Sequence, residues 1–187
     1  MNDDSQLDPI EGDIETFPRP EKIPIRFDET WFTYNSEPVV RDINFSILPG
    51  EFAAILGPNG SGKTTLMKLA LGLLKPSSGR DLLFGEPSDN FTDWHRIGYV
   101  PQRTQATESR FPASVREIVE FGAYSGFSPF SMWKSDKDSQ VDDAMELAGI
   151  RNLADRRVSD LSVGQQQRML IARSLVRRPD LLVMDEP

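Results

Sequence analysis

The chain has 187 residues and a formal net charge of -8, an acidic balance that argues against general nucleic-acid binding. It has no cysteine and one histidine, His95, which excludes disulfides, thiolate metal sites and multi-histidine zinc centres. The longest apolar runs are about five residues, against the roughly 20 of a membrane-spanning helix. The acidic N-terminus lacks the apolar segment of a secretory signal. We therefore expect one domain, with at most a small added lobe, that stays in the cytoplasm unless a membrane partner recruits it.

The first half predicts an acidic tail followed by strands. Residues 1–23 are acidic and interrupted by prolines, which predicts disorder, with a regulatory arm as the alternative. From Ile23, IPIRFDETWFTY and INFSI alternate apolar and polar residues, as half-buried strands do. EFAAIL, at residues 51–56, is predominantly apolar and predicts a buried, parallel strand. A helix is expected over about 62–74, and RDLLF and IGYV predict further short strands.

Helices dominate the second half. Two serines are each followed three residues later by Glu or Gln, the capping-box pattern of a helix start: Ser114 with Glu117, and Ser162 with Gln165. Between them, a helix over about 139–148 places four apolar side chains on one face, with Gly149 positioned to end it: Val141, Ala144, Met145 and Ala148. LLVMD, at residues 181–185, predicts a buried strand.

A phosphate-binding loop is the strongest motif. GPNGSGKT, at residues 57–64, fits G-x-x-x-x-G-K-[ST] between a predicted strand and a predicted helix. Glycines let the backbone N–H groups surround an anion at the positive end of the helix. Lys63 can reach the β- and γ-phosphates, and the Thr64 hydroxyl can ligate Mg²⁺. The predicted nucleotide-binding residues are Gly57, Pro58, Asn59, Gly60, Ser61, Gly62, Lys63, Thr64 and Thr65.

An acid pair follows the last apolar strand. Asp185 is suited to be a second Mg²⁺ anchor, as acids at the end of a parallel strand are in phosphate-loop enzymes. Glu186 is suited to act as the general base that polarises the attacking water. Both predictions depend on the phosphate loop.

LSVGQQQR, at residues 161–168, resembles the L-S-G-G-Q signature of ABC-type ATPases. The resemblance covers about residues 23–187, with several motifs in the family's order. It implies an α/β fold: a P-loop ABC-type core with an antiparallel β subdomain and an α-helical subdomain. The expected division is a tail at 1–23 and an ATP-binding domain at 24–187, whose core is 24–102 and 162–187 and whose helical subdomain is about 103–161.

The resemblance also assigns roles to residues. It implies that Tyr34 stacks on adenine and that Gln102, in YVPQR, touches Mg²⁺ and contacts the transport partner. The implied Mg²⁺ ligands are Thr64, Gln102 and Asp185. The signature residues Ser162, Gly164 and Gln165 would close on the ATP of a second copy in a head-to-tail homodimer. Val163 stands where the family usually has glycine.

A subfamily is indicated by VPQRTQATESRFPASVREIVEFGAY, which looks like the importers of zinc, manganese or related metal ions. This implies a peripheral ATPase on the cytoplasmic face of the cell membrane, where it binds integral membrane permease subunits. An extracytoplasmic solute-binding protein would be an indirect partner, and no nucleic-acid partner is expected. Phe111, Pro112 and Val115 are candidate permease contacts, with packing inside the helical lobe as the alternative. A soluble ABC-type ATPase of translation or DNA repair, and an importer of another solute such as iron chelates, stay open.

The family continues beyond the acid pair with a D-loop and a switch histidine. His95 precedes the acid pair and has no motif partner, so it is not that histidine. We therefore expect residues 1–187 by themselves to bind nucleotide weakly or fold poorly, and to hydrolyse ATP slowly if at all.

Overall fold

A computed structural model describes residues 22–101, 112–124 and 134–185, without the side chains of 134–137. The chain falls into two compact units, Met1–Asp89 and Asn90–Pro187. The predictions for the N-terminal tail, Gln102, Phe111 and Glu186 concern residues outside the described part. The subdivision at residues 102 and 162 stays a prediction. Within the described residues, no helix has the length and apolar character needed to cross a bilayer.

The first unit contains a four-stranded antiparallel sheet in the order β2-β1-β3-β4. Its strands are β1 (Ile25–Tyr34), β2 (Glu37–Ile47), β3 (Ser78–Leu83) and β4 (Glu86–Pro87). Asn35 and Ser36 join β1 to β2 with φ values of 45° and 73°, as a two-residue hairpin turn with two left-handed positions requires. The strands predicted from IPIRFDETWFTY, INFSI and RDLLF are confirmed, and β2 begins earlier than predicted.

Helix α1 (Lys63–Ala70) follows the glycine-rich loop and ends earlier than expected. Gly72 has a φ of 61°, and its N–H donates to the Leu69 carbonyl at 2.8 Å. The Leu73 N–H donates to the Lys68 carbonyl, also at 2.8 Å. These two bonds form a Schellman motif, which ends a helix by satisfying its last carbonyls.

The strand predicted for EFAAIL is wrong for this structure. Residues 51–58 belong to no strand or helix, and the Phe52 and Leu56 side chains are 87% and 90% exposed. A buried parallel strand needs parallel neighbours for its hydrogen bonds and layers that cover both of its faces. Among its described residues, the first unit pairs strands only in the antiparallel sense, so the apolar segment finds no such neighbour.

The described residues of the second unit form a short parallel sheet and three α-helices. Strands β5 (Ile97–Val100) and β6 (Leu181–Met184) pair in parallel, which confirms both predicted strands. β6 is only partly buried, in contrast to its prediction, and Leu182 is 36% exposed. The helices are α2 (Val115–Glu120), α3 (Lys134–Leu147) and α4 (Val163–Leu175).

One apolar core joins these helices and the segment before α4. Its buried members are Val115, Val119, Val141, Ala144, Met145, Ile150, Leu153, Val158, Leu161, Met169, Ala172 and Val176. This confirms the predicted apolar face of α3 for Val141, Ala144 and Met145, whereas Ala148 follows the end of the helix and is partly buried against the same core. Val115 is 0% exposed, so the prediction that it contacts a permease is wrong, because the core already surrounds its side chain. Gly149, with a φ of 66°, ends α3 as predicted.

A buried carboxyl lies in the first unit. Asp81, on β3, is 5% exposed and accepts a hydrogen bond from the Ser88 hydroxyl. Burial raises the pKa of Asp81 above its ordinary value of 3.8, and the charge of Asp89 adds to this rise, whereas the Ser88 hydrogen bond opposes it. The folded state therefore disfavours the ionised form of this carboxyl.

Asp81→Asn should consequently stabilise the protein at neutral pH, because asparagine keeps an oxygen for the Ser88 hydroxyl and carries no charge. In the wild type, stability should fall as the pH rises from the unfolded-state pKa through the raised folded-state pKa, and then level off. Urea unfolding of both proteins from about pH 3 to about pH 7 measures the difference, which should vanish at the acid end. The exposed carboxyl of Asp93 provides the control variant Asp93→Asn. Lower stability of Asp81→Asn than of wild type at neutral pH would contradict the expectation.

Candidate nucleotide-binding site

The loop before α1 turns back on itself. The Ser61 N–H donates to the Pro58 carbonyl at 3.2 Å, and Gly60 has a φ of 81°. Gly62, with a φ of 92°, is the N-cap residue of α1. A Cβ atom at Gly62 would lie 3.1 Å from the Val39 carbonyl oxygen, so this position combines a left-handed conformation with close packing on β2. Both conditions favour glycine.

The start of α1 has no side-chain cap. The first helical bond runs from the Leu66 N–H to the Gly62 carbonyl at 2.8 Å, and the N–H groups of Lys63, Thr64 and Thr65 have no acceptor among the described residues. By contrast, α2 and α4 both begin with closed capping boxes. Uncapped N–H groups at the positive end of a helix are the arrangement that binds phosphate.

Lys63 folds over the loop. Its Nζ donates to the Gly57 carbonyl at 2.9 Å and to the Pro58 carbonyl at 3.0 Å. Phosphate oxygens form stronger, charge-assisted hydrogen bonds with an ammonium group than neutral carbonyls do. The Thr64 side chain is exposed and Thr65 is half-buried. The loop therefore offers an amino group, a hydroxyl and free N–H groups on one short segment.

Tyr34 ends β1 with its ring 44% exposed. It packs edge to face against Phe32, with the ring centroids 4.7 Å apart. An exposed aromatic ring of this kind offers surface on which a base can stack. Its predicted role stays a prediction, although the structure places an exposed aromatic ring in the same unit as the phosphate loop.

The signature segment forms the predicted helix start. The Ser162 N–H donates to Gln165 Oε1 at 2.9 Å, and the Gln165 N–H donates to Ser162 Oγ at 3.3 Å. The N–H groups of Val163 and Gly164 have no acceptor among the described residues. Val163 is 53% exposed, and no atom lies within 4 Å of a Cβ built at Gly164. Two N–H groups and the Ser162 hydroxyl thus lie in an exposed segment, with open space at Gly164.

Asp185 follows β6 directly. Its N–H donates to the Val100 carbonyl at 3.0 Å, which extends the pairing of β5 and β6. Burial, and the Asp185 carboxylate in addition, raise the pKa of Tyr99, so the phenol stays protonated at neutral pH. The joint Mg²⁺ site of Thr64, Gln102 and Asp185 stays a prediction.

The comparisons with known proteins agree on a family. A model of the family described as ABC transporter matches residues 40–187. The zinc uptake system ATP-binding protein ZurA of Listeria monocytogenes is 40% identical over 163 residues, which cover 87% of this chain and 63% of that protein. The manganese transport system ATP-binding protein MntB of Bacillus subtilis is 37% identical over 164 residues, covering 88% and 64%.

A solved structure gives the same result. The cbiO1 protein of Clostridium perfringens, part of the ABC transporter complex cbiONQ, matches with a TM-score of 0.77 and 35% identity over 89% of this chain and 66% of that one. This likeness confirms the predicted α/β class with an ABC-type P-loop core. The chain spans less than two thirds of the length of each of these three proteins. By its family match, its relatives and its fold, the chain belongs to the ABC transporter family.

Proposed function

We propose that this chain is the ATP-binding and ATP-hydrolysing subunit of a membrane transporter that imports a divalent metal ion such as zinc or manganese. The observation that carries the proposal is the uncapped start of α1, where free N–H groups, Lys63 and Thr64 lie together. The names of ZurA and MntB, a zinc uptake protein and a manganese transport protein, support the choice of cargo.

ATP and Mg²⁺ are the ligands for which these residues are suited. Phosphate oxygens would replace the Gly57 and Pro58 carbonyls as partners of Lys63. The hydroxyl of Thr64 and the carboxylate of Asp185 are hard oxygen ligands of the kind that Mg²⁺ prefers, and Gln102 would complete the set. Bound Mg²⁺ neutralises charge that develops on the phosphates. Glu186 would hold the attacking water as general base.

A second copy of the chain would complete each site. In a head-to-tail homodimer, Ser162 and Gly164 would meet the nucleotide of the other copy, with the free N–H groups of the signature pointing at its phosphates. The Gln165 amide oxygen already accepts the Ser162 N–H, so this side chain also orders the signature. Closure of the dimer on ATP and its opening after hydrolysis would drive the membrane subunits.

The permease would dock on the second unit from the cytoplasmic side, and an extracytoplasmic solute-binding protein would deliver the metal. Pro112 is exposed at the start of the helical segment. Phe121 and Tyr124, just beyond α2, are 54% and 62% exposed. Exposed aromatic rings are enriched at the centres of protein interfaces. We propose Pro112, Phe121 and Tyr124 as permease contacts.

Two alternatives differ from this proposal in partner or cargo. A soluble ATPase of translation or DNA repair would associate with ribosomes or DNA, and the transport names of ZurA and MntB speak against it. An importer of another solute, such as iron chelates, would use the same ATP site. The identity of the transported solute is therefore the part of the proposal that experiment must decide.

Metal accumulation in cells that lack the gene tests the proposal. Loss of the gene should lower cellular zinc or manganese, measured as element content. The whole wild-type protein should restore the metal, and Lys63→Ala should not. Unchanged zinc and manganese with lowered iron would move the cargo to iron chelates. Unchanged metals together with ribosome or DNA association would reject the transport role.

Gly164→Ala should separate the signature's function from its folding. Alanine is a better helix former than glycine by about 1 kcal/mol, and the space around this position is open, so the melting temperature should not fall. The added methyl group would instead occupy the space through which a phosphate approaches the N–H groups. We expect ATP turnover of the assembled transporter to fall by about tenfold or more. Unchanged turnover would show that no ligand approaches Gly164 closely.

A further inference from the structure

The tip of the phosphate loop is an Asn-Gly pair, Asn59 and Gly60. It is the one place in the sequence where asparagine precedes glycine. The Ser61 N–H donates to the Pro58 carbonyl at 3.2 Å, which closes a four-residue turn with the pair at its centre. Gly60 has a φ of 81°, the positive value that glycine supplies at the third position of a type II turn. The hydrogen bond of this turn uses the Ser61 N–H and leaves that of Gly60 unused.

Both residues of the pair are open to attack by water and by each other. Asn59 and Gly60 are exposed. Among the described residues, the Gly60 N–H has no backbone acceptor and the Asn59 side-chain amide has no hydrogen-bond partner. Apart from its chain neighbours, no described atom lies within 4 Å of a Cβ built at Gly60. The Gly60 nitrogen and the Asn59 side chain are therefore free to approach each other.

Asparagine is among the chemically labile residues because the next backbone nitrogen can attack its side-chain amide. The Gly60 nitrogen gives up its proton and forms a bond to Asn59 Cγ, and the side-chain nitrogen leaves as ammonia. Water then opens the resulting cyclic imide at one of its two carbonyls, which yields aspartate or isoaspartate. The net reaction consumes water and releases ammonia, with no change of oxidation state. A following glycine favours the ring closure, because it has no Cβ to obstruct the attack.

Either product would impair the phosphate loop. Both place a carboxylate where the proposed function places phosphate groups, and like charges at close range oppose binding. Isoaspartate also adds its side-chain carbon to the backbone, which alters the spacing of the N–H groups that follow. Bound phosphate would oppose the reaction, because it accepts hydrogen bonds from the loop N–H groups and holds the loop in one conformation.

We propose that Asn59 is a site of spontaneous deamidation, that bound nucleotide protects it, and that its conversion weakens nucleotide binding. The protection and the loss of binding rest on the proposed function, whereas the deamidation rests on the loop alone. A molecule that stays without nucleotide thus loses its ATP site through a covalent change in its own loop, and a molecule that holds nucleotide keeps it.

The first experiment follows deamidation by peptide mass spectrometry in the whole, nucleotide-free protein at mildly alkaline pH, which promotes loss of the Gly60 proton. Asn152 is the internal control. It is exposed like Asn59, but the Leu153 N–H that follows it donates to the Ile150 carbonyl at 2.9 Å. Asn59 should convert several times faster than Asn152. An equal or slower rate at Asn59 would overturn the proposal.

The second experiment repeats the incubation with Mg²⁺ and an ATP analogue that resists hydrolysis. Saturating analogue should slow the conversion of Asn59 and leave that of Asn152 unchanged. An unchanged rate at Asn59, with binding of the analogue verified by calorimetry, would overturn the protection.

A pair of variants tests the loss of binding. Asn59→Asp reproduces one product, and Asn59→Ala is its control, because it removes the same amide without adding charge. We expect Asn59→Asp to bind ATP at least about tenfold more weakly than Asn59→Ala. Equal affinities would overturn this part of the proposal. Fresh wild-type protein that binds no ATP would reject the proposed function, together with the protection and the loss of binding, whereas the comparison of Asn59 with Asn152 decides the deamidation independently.

Discussion

Replacing Lys63 with alanine should lower ATP turnover by about a hundredfold or more while the protein stays folded. The ammonium group would stabilise charge on the β- and γ-phosphates during transfer, which an alanine cannot do. Among the described residues, the Nζ atom donates hydrogen bonds to two carbonyls of its own loop, those of Gly57 and Pro58. These exposed contacts contribute little to the stability of the fold. ATP turnover of the whole protein, measured with the proposed permease, and its melting temperature check the two effects.

Lys68→Ala is the matched control for this experiment. Lys68 is an exposed cation near the end of the same helix, so its loss changes the net charge by the same amount. We expect its turnover to stay within about twofold of the wild-type value, because a screened charge on the far end of the helix acts weakly on the loop. Turnover of Lys63→Ala that equals that of Lys68→Ala would show that the loop does not hold the reacting phosphates.

Gly79→Ala should destabilise the protein more than alanine does at a left-handed glycine that has open space around it. Gly79 has a φ of 79°, and a Cβ atom there would lie 2.1 Å from the Glu29 carbonyl oxygen and 2.6 Å from that of Asp28. β1 shifts its register opposite this glycine, between Asp28 and Trp31, and Glu29 is itself left-handed with a φ of 47°. The extra residue of β1 thus occupies the space that a side chain at position 79 would need.

Gly50→Ala separates the two destabilising effects of Gly79→Ala, which are the left-handed backbone conformation and the steric clash. Gly50 has a φ of 80°, and nothing lies within 4 Å of its added Cβ, so this variant carries the left-handed strain alone. That strain costs about 1–2 kcal/mol, and the backbone shift forced at Gly79 should add about 1–3 kcal/mol. Urea unfolding of both variants measures the difference. Equal stability would contradict the expectation and show that β1 relaxes freely around the new methyl group.

The parts of this protein that were predictable from sequence are those in which the interacting atoms are close along the chain. The capping boxes of α2 and α4 join residues three positions apart, and the end of α3 at Gly149 depends on a single backbone conformation. The phosphate loop and the signature are likewise continuous segments. Each motif has a local geometry that its own residues determine. The order of these motifs along the chain is that of the ABC transporter family.

The sequence therefore determined the family, the helix starts and the chemistry of each motif. Tertiary structure decided which apolar residues are buried: Val115 lies in the core, whereas Phe52 and Leu56 are exposed. It also decided that Glu29 approaches Gly79 and that Val158 binds Ala113. Burial and these contacts depend on strand pairing and packing between distant segments, and a linear pattern does not encode which neighbour a segment will find.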